Sequence, residues 1–298
     1  MKNISRRGFL SSAVAAAACV ARADAKPYTG RTLVVVTAHA DDFTIFAGGT
    51  IIKMIDEGYT AHLIRVTNDE KDSYDLDAGE TSRRNTAEMR AAADIVGIKD
   101  IYSLDFRNDE MDPISETEVR ARLIYLFRKL RPWTIFTFDP SAKYEENPDH
   151  KKTARAAEDA AWTSQGHLFL PEHFSQGLAR WTVVDRFYWA RQLDEQDANK
   201  IVDITPTIER KIRAIQAHKT MMQHTAYSLR EKLEEANLRL PLLDSVDEYS
   251  INRLINIQIR ERATAIGAKH GMKYAEEFHY VPVAAEGSYV MKNAVPLN

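Results

Sequence analysis

Little in this 298-residue chain is concentrated in one place. It has one cysteine, Cys19, so no intramolecular disulfide can form and a cross-linked scaffold is excluded. Its 40 basic and 43 acidic residues leave a net charge of -3 and no basic stripe, which argues against a nucleic-acid partner. There is no internal repeat and no long low-complexity tract. The apolar stretch Phe9–Ala21 falls short of the roughly 20 residues that span a membrane. The dinucleotide fingerprint of spaced glycines is missing after the first strand. No Lys-Ser/Thr follows Gly48-Gly49, so a nucleotide-binding dehydrogenase and a P-loop site both rank low. Close helix packing is the better reading of the paired glycines.

What the N-terminus does contain is an ordered address. Ser5-Arg6-Arg7-Gly8-Phe9-Leu10 supplies paired arginines, Phe9–Ala21 an apolar core, and Ala23-Asp24-Ala25 a small-x-small cleavage site. The expectation is a twin-arginine signal over residues 1–25 and one folded domain over 26–298, exported to the periplasm or cell surface. Cleavage removes four basic residues and one acidic residue, taking the net charge to -6. It also removes Cys19, and Ala16-Ala17-Ala18 lacks the large aliphatic residue of a lipobox.

Strand and helix signals alternate through the remainder. This predicts an α/β, Rossmann-like fold: a mostly parallel sheet with helices on both faces and a helical C-terminal region. Strands are expected at 31–38, 61–66, 100–104, 133–138, 186–191 and 200–203. Helices are expected at 46–57, 82–96, 116–130, 149–163, 206–217 and 247–269, with 223–246 also helical in character.

The chemistry is expected where the first strand ends. Leu33-Val34-Val35-Val36-Thr37-Ala38 runs straight into His39-Ala40-Asp41-Asp42. A buried strand ending in a histidine and two carboxylates is costly to build for structure alone, and open α/β sheets place their sites at such ends. His39 and Asp42 are three apart at a turn that can aim both at one point. His150, after Asn147-Pro148-Asp149 and the fourth strand, is the best third donor. Two histidines and one carboxylate with an open position suit a catalytic zinc ion, and the same set holds iron in other settings. Asp41, beside a ligand, can take a proton from an attacking water. The class this predicts is metal-assisted hydrolysis of an amide or similar acyl bond.

With these residues the chain resembles the LmbE/PIG-L family of zinc-dependent de-N-acetylases. The resemblance rests on Ala38-His39-Ala40-Asp41-Asp42 with Gly48-Gly49-Thr50, and on Arg84-x-x-x-Glu88 with Ala92 and Gly97. It continues through Arg131-Pro132, Pro148-Asp149-His150, Lys211 with Ala214 and His218, and Tyr274-Ala275-Glu276-x-Phe278. It implies His39, Asp42 and His150 as zinc ligands and Asp41 as general base. Asp149 would orient a neighbouring side chain, and Arg84 and Asp109 would contact substrate.

Three positions depart from the family pattern. Ala40 replaces Pro, Phe43 replaces Glu, and Asn147 stands where many members have a His that serves the oxyanion or the leaving amine. Asn147 can donate a hydrogen bond to an oxyanion but cannot supply a proton. His218 is the alternative acid and a substrate-side candidate.

The substrate implied is a small molecule or glycan carrying an N-acylated, by resemblance N-acetylated, amino sugar. Nothing in the pattern sets an oligomeric state. The competing reading is a catalytically impaired carbohydrate-binding protein of the same fold. Retained Asp41 argues against it, since binding alone does not need that base. Arg84 and Glu88, four apart, would also suit a plain surface ion pair.

Overall fold

A computed structural model describes residues 26–191 and 197–297; the expected signal over 1–25 lies outside the described residues. The strands are β1 (Thr32–Thr37), β2 (Thr60–Thr67), β3 (Asp100–Phe106), β4 (Thr134–Phe138), β5 (Asp185–Trp189), β6 (Lys200–Asp203) and β7 (Ala275–Val281). The helices are α1 (Asp42–Asp56), α2 (Ala78–Val96), α3 (Glu116–Leu130), α4 (Pro148–Thr163) and the short α5 (Glu172–Ser175). They continue as α6 (Ile208–Gln216), α7 (Lys219–Glu235), α8 (Glu248–Ala268) and α9 (Tyr289–Asn293).

The seven strands form one sheet in the order β3-β2-β1-β4-β5-β7-β6. β1 to β5 pair in parallel. Two consequences follow from β1. Its residues alternate between faces: Leu33 and Val35 pack with α1, α2, α6 and α8, whereas Val34 and Val36 pack with α3 and α4. With both faces covered, the strand reads as an unbroken apolar run and not as an alternation. The chain also leaves β1 in one direction to β2 and returns on the other side as β4. The crevice between the ends of β1 and β4 is therefore the topological switch point of a doubly wound sheet.

Two of the differences from the sequence expectation bear on the site. β7 is an additional strand, inserted antiparallel between β5 and β6, so that β6 pairs with β7 and not with β5. Helix α1 begins at Asp42, four residues before the expected start, because its first turn is built by polar groups. The Asp42 carboxylate accepts the His39 backbone N–H at 2.7 Å, and the Thr44 hydroxyl donates to the Asp41 carbonyl at 2.7 Å.

The middle of α1 touches Ile204, Thr207 and β7. A methyl group at Gly49 would meet the Ile204 side chain at 2.8 Å, so the close approach requires glycine. At the same level the buried Glu276 carboxylate accepts from the backbone N–H groups of Gly49 and Thr50 at 2.9 and 2.8 Å, from the Thr50 hydroxyl at 2.5 Å, and from the Lys211 ammonium at 2.7 Å. Gly48-Gly49-Thr50, Lys211 and Glu276 are thus one structural device, fixing the helix whose first turn carries Asp42. Among the described residues, no helix is long and apolar enough to cross a membrane.

Candidate metal centre

Four strand ends feed the switch point. β1 supplies His39 to Asp42, the loop after β2 supplies Asp69 and Asp72, the loop after β3 supplies Asp109, and the β4–α4 connection supplies Glu145 to His150. The two imidazoles meet here. His39 Nδ1 lies 3.1 Å from His150 Nε2. Asp42 completes the triangle, with Oδ1 3.5 Å from His150 Nε2 and Oδ2 3.8 Å from His39 Nδ1. Metal–ligand bonds of about 2.0–2.1 Å in a tetrahedral site separate donors by about 3.3 Å. The three observed separations bracket that value. His39, Asp42 and His150 are buried and form a group able to hold a metal ion.

The other face of each imidazole meets a carboxylate. His39 Nε2 is 3.4 Å from Asp149 Oδ2, and Asp149 in turn accepts the Asp109 backbone N–H at 2.6 Å. His150 Nδ1 is 3.2 Å from Glu145 Oε2. The Phe138 ring stacks on the His150 ring at 3.9 Å and 18°. Asp109, held at a positive φ of 57°, forms a second potential ligand group with His39 and Asp149.

The electrostatics are those of a cation site. Burial alone would lower the basicity of His39. Its bond to Asp149 and the charges of Asp42, Asp72 and Asp69 outweigh burial and raise its pKa well above the usual value. His150 is likewise raised, burial being outweighed by Asp42 and Glu145. Asp42 is lowered, because His150 and His39 overcome the effect of its burial. Asp41 is pushed up to about 8 by burial and by Asp42, which outweigh the opposing charge of His39. Asp72 rises to about 7, from burial and then the surrounding carboxylates. A divalent cation among these groups would relieve the repulsion that raises Asp41 and Asp72. Asp69 is tied down by Arg65 at 2.8 Å and by the Ala40 backbone N–H at 3.3 Å.

The remaining candidates fall into three positions. Asn147 caps α4: its Oδ1 accepts the backbone N–H groups of Asp149 and His150 at 2.8 and 3.4 Å, leaving only Nδ2 as a donor. His218 is fully buried, edge-on to Phe43 at 6.1 Å between ring centroids, and neither ring nitrogen has a hydrogen-bond partner. Burial pushes its pKa down to about 3, so it is neutral and shut off from solvent. Arg84 sits apart from the imidazole cluster. It bonds Glu80 at 2.6 Å and lines a cavity of about 260 Å³ with Glu88 and Thr220. The expected Arg84–Glu88 pair does not form, because Glu88 caps α7 by accepting from the Thr220 backbone and hydroxyl, both at 2.8 Å.

Sequence reasoning missed Glu145 and Asp69. Asp69 follows the end of β2 by two residues and Glu145 lies on the β4–α4 connection, and the partners of both come from loop conformation. The one available signal was a carboxylate five residues before a candidate ligand, on the same connection.

Fold and cluster together define a doubly wound α/β protein with a candidate metal centre at its switch point. The model of the PIG-L family, GlcNAc-PI de-N-acetylase, matches residues 34–161, and the chain carries a domain of this PIG-L (LmbE-like) family. A diacetylchitobiose deacetylase from Thermococcus kodakarensis is 26% identical over 255 residues, covering 85% of this chain and 84% of its own. The N,N'-diacetylchitobiose deacetylase of Pyrococcus horikoshii, solved with an inhibitor, superposes with a TM-score of 0.69 at 26% identity, covering 95% of this chain and 96% of its own. A 4-carboxy-2-hydroxymuconate hydratase from Pseudomonas putida shares the fold at a TM-score of 0.63 and 18% identity, over 87% of this chain and 99% of its own. One fold thus carries different chemistries, and the reaction must be argued from the site.

Proposed function

We propose that this protein is a zinc-dependent N-deacetylase of N-acetylated amino sugars of the N-acetylglucosamine type. The observation that carries the reading is the buried His39–Asp42–His150 donor set with Asp41 beside it. The deacetylases of similar sequence support the sugar class.

His39 Nδ1, His150 Nε2 and one oxygen of Asp42 would hold the ion. When bound, zinc lowers the pKa of a water to about 7 and polarises the amide carbonyl as a Lewis acid. Everything else falls to the chain. Asp41 is only partly buried, so substrate can reach it, and its carboxylate takes the proton as water adds to the carbonyl carbon. The C–N bond then breaks, acetate forms, and the nitrogen leaves as the amine with one added proton. Asp41, protonated in the first step, is the donor at hand for that nitrogen. This assignment replaces the acid expected of His218, whose ring is sealed in the core. Asn147 Nδ2 remains available to the oxyanion, since its carbonyl oxygen is already committed to capping α4.

The test is zinc content and amine release from N-acetylglucosaminides, measured on residues 26–298 beside a His39→Ala/His150→Ala variant. Near-stoichiometric zinc and amine release, both lost in the variant, are expected. Zinc without amine release would favour the carbohydrate-binding reading, and no zinc after reconstitution would sink the metal centre. Asp41→Asn should retain zinc and lose turnover.

We further propose that the chain is exported, on the paired Arg6-Arg7 and the cleavage site at Ala23-Asp24-Ala25. Cell fractionation of the full chain beside an Arg6→Lys/Arg7→Lys variant tests this. Equal distribution of the two would refute it.

A further inference from the structure

We propose that Glu145 is a positioning residue for the metal centre. Its carboxylate fixes His150 in the tautomer that presents an unprotonated Nε2 to the cation. This rests on the metal-centre reading above.

Glu145 is a buried carboxylate on a loop, in a chain where most of its kind are at the surface. Its Oε1 accepts the Asn147 backbone N–H at 3.0 Å and lies 4.0 Å from Arg191. Its Oε2 reaches His150 Nδ1 at 3.2 Å. Both of those atoms are sealed from solvent and neither has a hydrogen-bond partner elsewhere or a completed bond to the other, so the contact between them is a close charge contact that a small rotation turns into a hydrogen bond. Two buried orphan atoms facing each other at that distance are each other's only means of satisfaction.

The proton can sit in only one place. An ionised carboxylate accepts and cannot donate, so the hydrogen belongs to Nδ1. Nε2 is then left with its lone pair, facing Asp42 Oδ1 and His39 Nδ1. The stacked Phe138 ring fixes the plane of the imidazole, which leaves a half-turn as its one alternative orientation. That half-turn would break the Glu145 contact and remove Nε2 from the cluster at once. Carboxylates in this position raise ligand basicity as well as fixing orientation.

The loop is self-locking around this contact. Asn147 donates its backbone N–H to Glu145, while its side chain holds the backbone of Asp149 and His150. Six consecutive residues therefore set a metal ligand, its orienting carboxylate, and the carboxylate that faces His39.

The experiment is a chelator competition for Zn2+ on residues 26–298, comparing wild type, Glu145→Ala and Glu145→Gln, with the His150 ring nitrogens followed by 15N NMR. Glu145→Ala should weaken zinc binding by about 10–100-fold. Its His150 should no longer show a single tautomer before metal is added. Glu145→Gln keeps an acceptor for Nδ1–H but loses the charge, so its affinity should fall between the other two. Zinc affinity in Glu145→Ala equal to wild type would overturn the proposal and leave the metal centre standing. If wild type itself binds no zinc, the functional reading falls and this proposal with it. Should Glu145→Ala not fold, Glu145→Met, of similar volume and with no acceptor oxygen, showing wild-type zinc affinity and a single His150 tautomer would overturn it.

Discussion

Replacing Glu276 by alanine isolates a buried ammonium, and the cost can be worked from its surroundings. Lys211 and Glu276 are both about 4% exposed and pair at 2.7 Å. Burial already lowers the Lys211 pKa, and Glu276 is the main group opposing that shift. Without its partner the ammonium must either remain charged in the core or lose its proton. Removing one member of a buried pair typically costs about 3–5 kcal/mol. Deprotonation sets a ceiling: discharging a lysine of ordinary pKa about 10.4 at pH 7 costs about 4.6 kcal/mol. The donors on Gly49 and Thr50 also lose their acceptor, although α1 can recover part of that internally. The expected destabilisation is therefore about 4 kcal/mol at pH 7.

The sign with pH follows from the same argument. A lysine whose folded pKa is depressed destabilises most at low pH, and the penalty shrinks as pH rises toward the unfolded value. If Lys211 is neutral in the folded variant, moving from pH 7 to pH 9 recovers about 2.7 kcal/mol. Urea denaturation of wild type and Glu276→Ala at both pH values measures this directly. Adding Lys211→Met should recover most of the loss at pH 7 and abolish its pH dependence. A loss below about 1 kcal/mol at pH 7, or one equal at both pH values, would refute the account.

Three other substitutions probe separate features. His218→Leu removes a buried polar ring with no partner, so it should be neutral or stabilise by about 1–2 kcal/mol in urea denaturation; a clear loss would mean that the ring has a partner on binding or in solution. Asn147→Asp keeps the cap acceptor but removes the amide donor. It should preserve stability to within about 0.5 kcal/mol, and a donor acting on the oxyanion predicts a kcat lower by about 10²–10³-fold. Unchanged kcat would confine Asn147 to capping. Gly49→Ala should cost at least about 1–3 kcal/mol by overpacking against Ile204, read as a fall in thermal midpoint.

How far these features were legible in the sequence depended on whether they were local. The apolar run of β1 and the helix stops at Gly58 and Gly97 depend on neighbouring residues, and both glycines do take positive φ, 118° and 98°. His39, Asp42 and His150 could be brought together in advance because parallel strand ends must meet. β7 was hidden by Glu276: a glutamate inside the core breaks the apolar pattern, and its partner Lys211 lies 65 positions away. Glu145 was hidden because its role is set by the path of one loop. The setting of His218 was hidden for a related reason: its side chain suggested proton transfer, whereas α6 and α7 fold it against Phe43, where the ring is buried.

The reach of Glu276 also bears on how the molecule comes into being. Its contacts with Gly49 and Thr50 span 227 and 226 positions. The helix that starts at Asp42 is therefore synthesised more than 200 residues before its clasp. Local helices and β1–β2 pairing can form early, but closing a contact of that span carries a loop-closure cost that only a chain extended through β7 can offset. Until β7 docks, α1 lacks its clasp, and an incomplete chain presents a loosened candidate metal centre. Truncation before Ala275 should therefore weaken the site in the opening residues more than their distance along the chain would suggest.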